Sequence, residues 1–310
     1  MIDAYGIPVE EKLVIAIASS AVLTLDAARD AFREKGLAAY RQYQREHQQD
    51  IMERGPAFTF VRRLLNFNKL FPEIQPVEVV LLSHNDADTG LRIMNSLKHY
   101  ELDVTRAAFI TDEKPHHYLA AYNSSLFLSR NRRDVEDAIA AGFAAGTVLE
   151  SALNDDPDDE SLRVAFDFDG VIADGTCESV FKGKGLDGFN QMETEKAAVP
   201  HSPGPLAQLF RKLANLRDLE FERQSKEPDY KRRLSMSIVT ARGVPAHERV
   251  VTTLRDWGIV IDKTFFLGGM NKGRILASLR PHIFFDDQIH PHLDAAKDFT
   301  PSVHIPVIAH

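Results

Sequence analysis

The chain has 310 residues, 44% hydrophobic and 26% charged, with a formal net charge of −8. That balance suits a globular protein of one large domain or two ordinary ones. It excludes a bilayer-spanning run, which needs ~18 apolar residues, and it offers no basic stripe for nucleic acid. The single cysteine, Cys177, excludes an internal disulfide framework and a Cys-based zinc cluster, and points to a reducing cytoplasm. A small phosphorylated substrate stays compatible with the net charge, because a metal ion and one or two cations reverse a local potential.

In chain order, acidic residues between Met1 and Lys12 precede the first apolar stretch, the wrong charge order for a signal peptide. Leu13 to Leu25 reads as a buried strand and a turn. Val79 to Leu82 predicts the next strand, Leu91 to His99 a helix, and Phe127-Leu128 a further strand. The acidic segment Asn154 to Glu160 reads as a linker. Beyond it come a strand ending in Phe166-Asp167-Phe168-Asp169-Gly170, a strand over Met236 to Val239, a helix over His247 to Trp257 and a strand over Ile283 to Phe285. Alternation of strands and helices implies an α/β protein with a mainly parallel sheet covered on both faces. Ligands in such sheets bind beyond the carboxyl ends of the strands.

The chain also repeats itself. Phe32 to Glu46 matches Phe181 to Glu195 at a spacing of 149, which aligns Lys-Gly-Leu, Gln and Glu and sets Tyr40 on Phe189. The same spacing sets Ile15 to Leu23 on Val164 to Ile172, and Gly55-Pro56 on Gly204-Pro205. Further on the spacing becomes 157 and sets Ser83 on Thr240, Arg92 on Arg249 and Phe127 on Phe284. The eight extra residues fall in the charged stretch Leu216 to Arg233, read as a surface excursion. Two tandem Rossmann-like units follow, at residues 1–153 and 161–310, the first degenerate and the second catalytic.

That assignment rests on where the copies differ. Asp167 and Asp169 align with Ala18 and Ser20, Asp286 and Asp287 with Ser129 and Arg130, and Lys272 with Pro115. A shared fold does not need groups that one copy lacks. Phosphoryl transfer does need them: a carboxylate nucleophile, a cation to screen the approach of two anions, a second acid to protonate the leaving oxygen and activate water, and a hydroxyl and an ammonium at the phosphate. Taken singly, each is an ordinary turn residue, helix cap or surface lysine. Their order along the chain, Asp-x-Asp, then Thr, then Lys, then Asp-Asp, makes the signal specific.

With those motifs the sequence resembles the haloacid dehalogenase superfamily. The resemblance implies Asp167 as nucleophile, Asp169 as general acid/base, and Thr240 and Lys272 as holders of the phosphoryl group. It implies a Mg²⁺ site built from Asp167, Asp169, Asp286 and Asp287, with the direct ligand of the last pair left open. A narrower resemblance, carried by LRVAFDFDGV, SIVTARG, TLRDWGI and RPHIFFDDQ, and in the first half by LSHNDADTGLRIMNSLKHYELDVTRAAF and NSSLFLS, is to the cytosolic type I 5′-nucleotidases. It implies hydrolysis of nucleoside 5′-monophosphates. The chain departs from that family at Phe168, where glycine is usual, at Gly170, where alanine is usual, and at GGMN before Lys272, where a proline is usual.

Phe168, next to the proposed leaving group, is expected to influence substrate preference. Asn85 and Asp86 read either as nucleoside contacts or as a helix-capping turn, and Arg242 either as a phosphate contact or as half of a surface pair. His116, His117, His290 and His292 read as surface residues, and Cys177 as inert. Gly175 to Pro200, 26 residues, is long enough for a small flap over the site but not for a cap domain. Another phosphomonoester such as a sugar phosphate is the alternative substrate, and a non-catalytic nucleotide sensor is the alternative class. The expected partners are a nucleotide substrate, no nucleic acid and no membrane, and the sequence is compatible with a homo-oligomer.

Overall fold

The computed structural model describes residues 11–24, 36, 38–151, 155–156 and 158–307. Most of the acidic start, most of Phe32 to Leu37, and Asn154 and Pro157 of the linker lie outside the described residues. The chain divides into two compact units, Met1–Val148 and Leu149–His310.

In unit 1 the strands are β1 (Leu13–Ile17), β2 (Val77–Ser83), β3 (Arg106–Phe109), β4 (Leu126–Ser129) and β5 (Ala145–Val148). All pairings are parallel, in the order β3-β2-β1-β4-β5. Every residue of β1, LVIAI, is buried, as a strand covered on both faces requires. The helices are the short α1 (Ser19–Val22), α2 (residues 38–46), α3 (Phe58–Leu70), α4 (Ala87–His99) and α5 (Arg132–Ala140). Asp86 caps α4 by accepting from the Thr89 amide at 2.9 Å, and Lys98 and His99 sit at its negative C-terminal end. The α5 face closes on Ala16, Leu82, Phe127 and Ala145 through Val135 and Ala138.

Unit 2 has β6 (Leu162–Phe166), β7 (Leu234–Thr240), β8 (Lys263–Phe266), β9 (Ile283–Asp286) and β10 (Ser302–His304). Again all pairings are parallel, in the order β8-β7-β6-β9-β10. Its main helices are α6 (Thr176–Glu195), α7 (Ala207–Lys226), α8 (His247–Asp256) and α9 (Gly273–Leu279). Phe166 stacks on Phe285 with centroids 5.1 Å apart and meets Phe210 of α7 edge-on, so the central strand is clamped by aromatic packing.

Each strand of unit 2 begins where the spacings of 149 and then 157 place it. Leu13 and Leu162 open the first strands, Val77 and Leu234 the second, and Leu126 and Ile283 the fourth. Local bonds recur too: the Ala18 amide donates to the Leu128 carbonyl as the Asp167 amide donates to that of Phe285. Gly36 and Gly185 both hold a positive φ, at 80° and 68°, which gives the repeated Lys-Gly-Leu a backbone reason.

Two sequence expectations need correction. After the first strand, Leu23 bridges to Arg54 and the Gly55 amide bonds to Val22 in unit 1, whereas Ala173 bridges to Pro203 and the Gly204 amide bonds to Ile172 in unit 2. Unit 2 therefore carries one more residue in this turn, and Leu23 corresponds to Ala173 rather than Ile172. Secondly, the charged stretch from Leu216, read as a surface excursion, lies mostly at the surface but begins as helix: α7 has 20 residues where α3 has 13. Its Leu, Glu, Arg, Gln and Lys are strong helix formers, so the extra residues lengthen the helix. The chain returns to β7 through Glu220, a fully buried carboxylate that accepts from the Tyr230 hydroxyl and from the Arg233 and Leu234 amides at 2.6–2.8 Å. Glu220→Ala strands those amides and is expected to cost at least ~2 kcal/mol, read as a lower urea midpoint at unchanged m-value.

Candidate active site

The acidic and basic groups singled out in unit 2 gather at the carboxyl ends of its strands, where parallel sheets place ligands. Asp167 follows β6, Thr240 ends β7, Asp286 ends β9, and Lys272 precedes α9. Asp167, Thr240, Lys272 and Asp286 are all buried. The Lys272 ammonium lies 2.9 Å from Asp167 Oδ2 and 2.7 Å from Asp286 Oδ2, tying the two strand ends together. Asp286 Oδ1 accepts from the Gln288 amide at 2.8 Å and lies 3.1 Å from His292 Nδ1, and Asp167 Oδ1 accepts from the Phe168 amide at 2.7 Å.

Burial opposes every charge in this cluster, and the partners decide the outcome. Asp167 is pushed up to about 6, first by burial and then by Asp286 and Asp169, with Lys272 opposing. Asp286 is held below the ordinary carboxylate range by Lys272 and His292 despite its burial. Lys272 is likewise raised by its two carboxylates against the effect of burial.

One ammonium does not neutralise two carboxylates, and Asp287 adds a third acidic group beside them. Ligand atoms of Asp167, Asp286 and His292 lie within 4.8 Å of one another, close enough to hold a metal ion. The surplus of hard oxygen donors fits a small divalent cation, for which the imidazole is the weaker donor; we read His292 as the group that orients Asp286. Asp169 is not in this cluster. Its carboxylate turns to Arg242, which grips both oxygens at 2.6–2.7 Å. Asp287 meets the turn after β6 instead: a Cβ on Gly170 would lie 2.7 Å from its Oδ2. Gly170 also holds φ at +71°, so the glycine in that motif answers to both space and backbone.

A model of the 5′-nucleotidase family matches residues 5–310. The chain belongs to that family. Human cytosolic 5′-nucleotidase 1B is 34% identical over 291 residues, 92% of this chain and 47% of the human protein. The chain thus spans about half the length of that curated relative. No solved structure matches it. Against this family background, Arg242 pairs with a site carboxylate rather than lying on the surface. Phe168 is fully buried, edge-on to His201 at 5.3 Å and under the Arg242 guanidinium at 5.4 Å, so its ring packs behind the acidic pair.

In unit 1, the Asn85 amide donates to the Ser19 and Ser83 hydroxyls at 2.9 and 2.8 Å, and its oxygen lies 3.4 Å from the Tyr40 hydroxyl. Asp86 caps α4 and pairs with Arg41 at 2.8 Å. The segment after Asp174 is largely the helix α6, interrupted at Gly185. His290 is exposed as expected, but His292 is not: its side chain is mostly buried against Asp286. Cys177 is buried and its thiol is pushed up to about 12, chiefly by burial, in keeping with an inert group. Among the described residues, no helix is long and apolar enough to cross a membrane.

Sequence reasoning missed Glu193, His201, Arg249 and His292. The repeat held a signal for the first of these: Glu193 falls on Gln44 beside the matched pair Arg92 and Arg249, an acidic substitution within a conserved-looking contact. Gly170→Ala adds left-handed strain of ~1–2 kcal/mol and the encounter with Asp287. Gly258, at φ +67° with open space around it, isolates the strain alone. Thermal unfolding should therefore show a larger loss for Gly170→Ala than for Gly258→Ala; equal losses would remove the role given to the Asp287 contact.

Proposed function

We propose that unit 2 hydrolyses nucleoside 5′-monophosphates to nucleoside and phosphate by the two-step chemistry of haloacid dehalogenase-type phosphatases, with unit 1 a degenerate copy of the same fold. The observation that carries the reading is the Asp167–Lys272–Asp286 bridge at the strand ends, in a chain of the 5′-nucleotidase family. A buried carboxylate held against a buried ammonium is a poor structural investment, since well-packed apolar residues often serve stability as well or better. It is a suitable way to keep a nucleophile fixed and accessible to an anion.

In this reading an Asp167 oxygen attacks phosphorus, and the bond from phosphorus to the ribose 5′-oxygen breaks. Asp169 gives its proton to the departing oxygen. It then takes a proton from the water that attacks the phosphorus of the aspartyl-phosphate, which releases inorganic phosphate and regenerates Asp167. Lys272 and the Thr240 hydroxyl bind the phosphoryl oxygens. Mg²⁺ would be held by Asp167 and Asp286, with Asp169 contributing its backbone carbonyl and Asp287 beside them; bound there, it supplies screening of the two anions and charge stabilisation. The hard donor set and the uncompensated negative charge support Mg²⁺ over a softer metal.

Nucleoside contacts from Asn85 and Asp86 stay part of the proposal, although both side chains are engaged within unit 1. A cytoplasmic setting accords with the buried free thiol of Cys177.

A phosphate-release screen over nucleoside monophosphates and sugar phosphates, with Mg²⁺ or with excess chelator, tests this reading. Release from nucleotides that stops with chelator and returns with Mg²⁺ is the expected result. Asp167→Asn should abolish turnover in a folded protein, and Asp169→Asn should lower kcat by ~10²-fold or more. Full activity in chelator, or near-normal activity of Asp167→Asn, would sink the mechanism, and turnover confined to sugar phosphates would replace the substrate.

A further inference from the structure

Asp169 is gripped by a fork that is itself pinned. Arg242 donates from Nε to Asp169 Oδ2 at 2.7 Å and from Nη2 to Oδ1 at 2.6 Å. Its remaining nitrogen, Nη1, donates to the Glu193 carboxylate and to the Ala246 carbonyl. Glu193 comes from α6, is 1% exposed, and also accepts from Arg249 Nη1 at 2.8 Å, with His201 Nε2 at 3.4 Å. The Phe168 and Phe189 rings lie 5.4 and 5.2 Å from the Arg242 guanidinium. Burial opposes both charges, yet Arg242 is raised and Glu193 depressed by their mutual contacts and by Asp169 and His201, so the pair is ionised.

Burial and pairing alone do not separate a structural cluster from a functional one. Unit 1 supplies the comparison. By the repeat spacing, Glu193 falls on Gln44, Arg249 on Arg92, Arg242 on Asn85 and Asp169 on Ser20. Arg92 Nη1 donates to Gln44 Oε1 at 3.2 Å, and Arg92 Nε to the Asp50 carbonyl at 3.0 Å. Arg249 makes the same two bonds, to Glu193 and to the Val199 carbonyl at 2.8 Å. Even the next bond recurs: Ser96 receives the Met52 amide as Thr253 receives that of His201. The fold therefore needs this hydrogen-bonded arginine but manages with a neutral amide as its partner. A carboxylate at this place, and a guanidinium in place of Asn85, occur in the unit that also carries Asp169.

We propose that Arg242 and Glu193 are positioning residues for Asp169: Glu193 fixes Arg242 from α6, and the fork of Arg242 fixes the plane and direction of the Asp169 carboxylate. The bidentate grip leaves each Asp169 oxygen a second lone pair, on which to carry the proton it gives to the leaving oxygen and then takes from water. A lysine, as a point charge, could neutralise Asp169 but not set its plane. The role in turnover rests on the function proposed above; the positioning of Asp169 does not.

The full chain should be compared with Arg242→Asn and Glu193→Gln, which install the residues unit 1 carries, and with Arg242→Lys and Asp169→Asn. Two readouts are needed. Amide hydrogen exchange over residues 168–174 should quicken ~10-fold or more in Arg242→Asn, while that of β7 and β9 holds. In turnover of the best nucleoside monophosphate, Arg242→Asn should lower kcat ~10-fold or more with KM within about threefold, and Arg242→Lys should not restore it. Glu193→Gln should fall in the same direction. Combining Arg242→Asn with Asp169→Asn should be no slower than Asp169→Asn alone, because a residue acting through Asp169 has nothing left to position. Unchanged exchange near Asp169, or multiplied losses in the double variant, overturns the proposal. A wild-type chain that hydrolyses no phosphomonoester ends the functional reading instead, and the exchange result then decides the positioning by itself.

Discussion

The site depends on one buried ammonium. Lys272 lies within 2.9 Å of carboxylates at the ends of two strands, and it is this contact that lets Asp167 and Asp286 be buried together. Two carboxylates in a dry pocket would otherwise protonate or drive apart. The bridge leaves a net negative balance, and Asp167 is pushed up to about 6, first by burial and then by the neighbouring carboxylates. A divalent cation held there, as proposed, would offset that balance and favour the approach of a phosphate. The same arithmetic explains why the acidic groups stay apart, Asp169 being drawn off to Arg242 and Asp287 laid over the Gly170 turn.

The corresponding strand ends of unit 1 are built differently. Ser19, Ser83 and Asn85 bond to one another within 3.1 Å, and Ser129 accepts the Asn131 amide as Asp286 accepts that of Gln288. Neutral hydroxyls and an amide satisfy the same backbone donors without excess charge or a cation to balance it. Under the proposed duplication, this is what remains when the requirement for chemistry is lifted but the turn geometry must persist.

How much of this was legible beforehand follows from what kind of signal each part leaves. Strand and helix positions left the strongest one, because β1 is apolar throughout, β6 is interrupted only by Arg163, and α4 announces itself with Asp86 and Lys98. The residues at the strand ends were legible as a set, through their order along the chain and their absence from the other half. Contacts between distant residues were not. His292 looked like a surface residue in a polar loop, and only the path of the chain after β9 turns it onto Asp286. The extra turn residue after β6 was hidden too, since a one-residue insertion in a short motif costs an alignment little and reshapes the backbone locally. The lengthened α7 was missed because a charged stretch was read as an excursion rather than as helix, although Glu, Lys and Arg are good helix formers; most charges of the stretch are exposed, but Glu220 is buried.

Phe168 shows most plainly how a local reading can be overtaken. Phe168 lies past the end of β6, in the turn that its carbonyl closes by accepting from the Ile172 and Ala173 amides. Its ring lies with His201 and Arg242, fully buried. A glycine there would leave a void the size of a phenyl ring beside the guanidinium that holds Asp169. Arg242 would then be restrained by its hydrogen bonds without a packed face behind it. The aromatic residue thus packs behind the arginine that holds Asp169. The departure from glycine thus fills the space beside the buried Arg242–Glu193 pair.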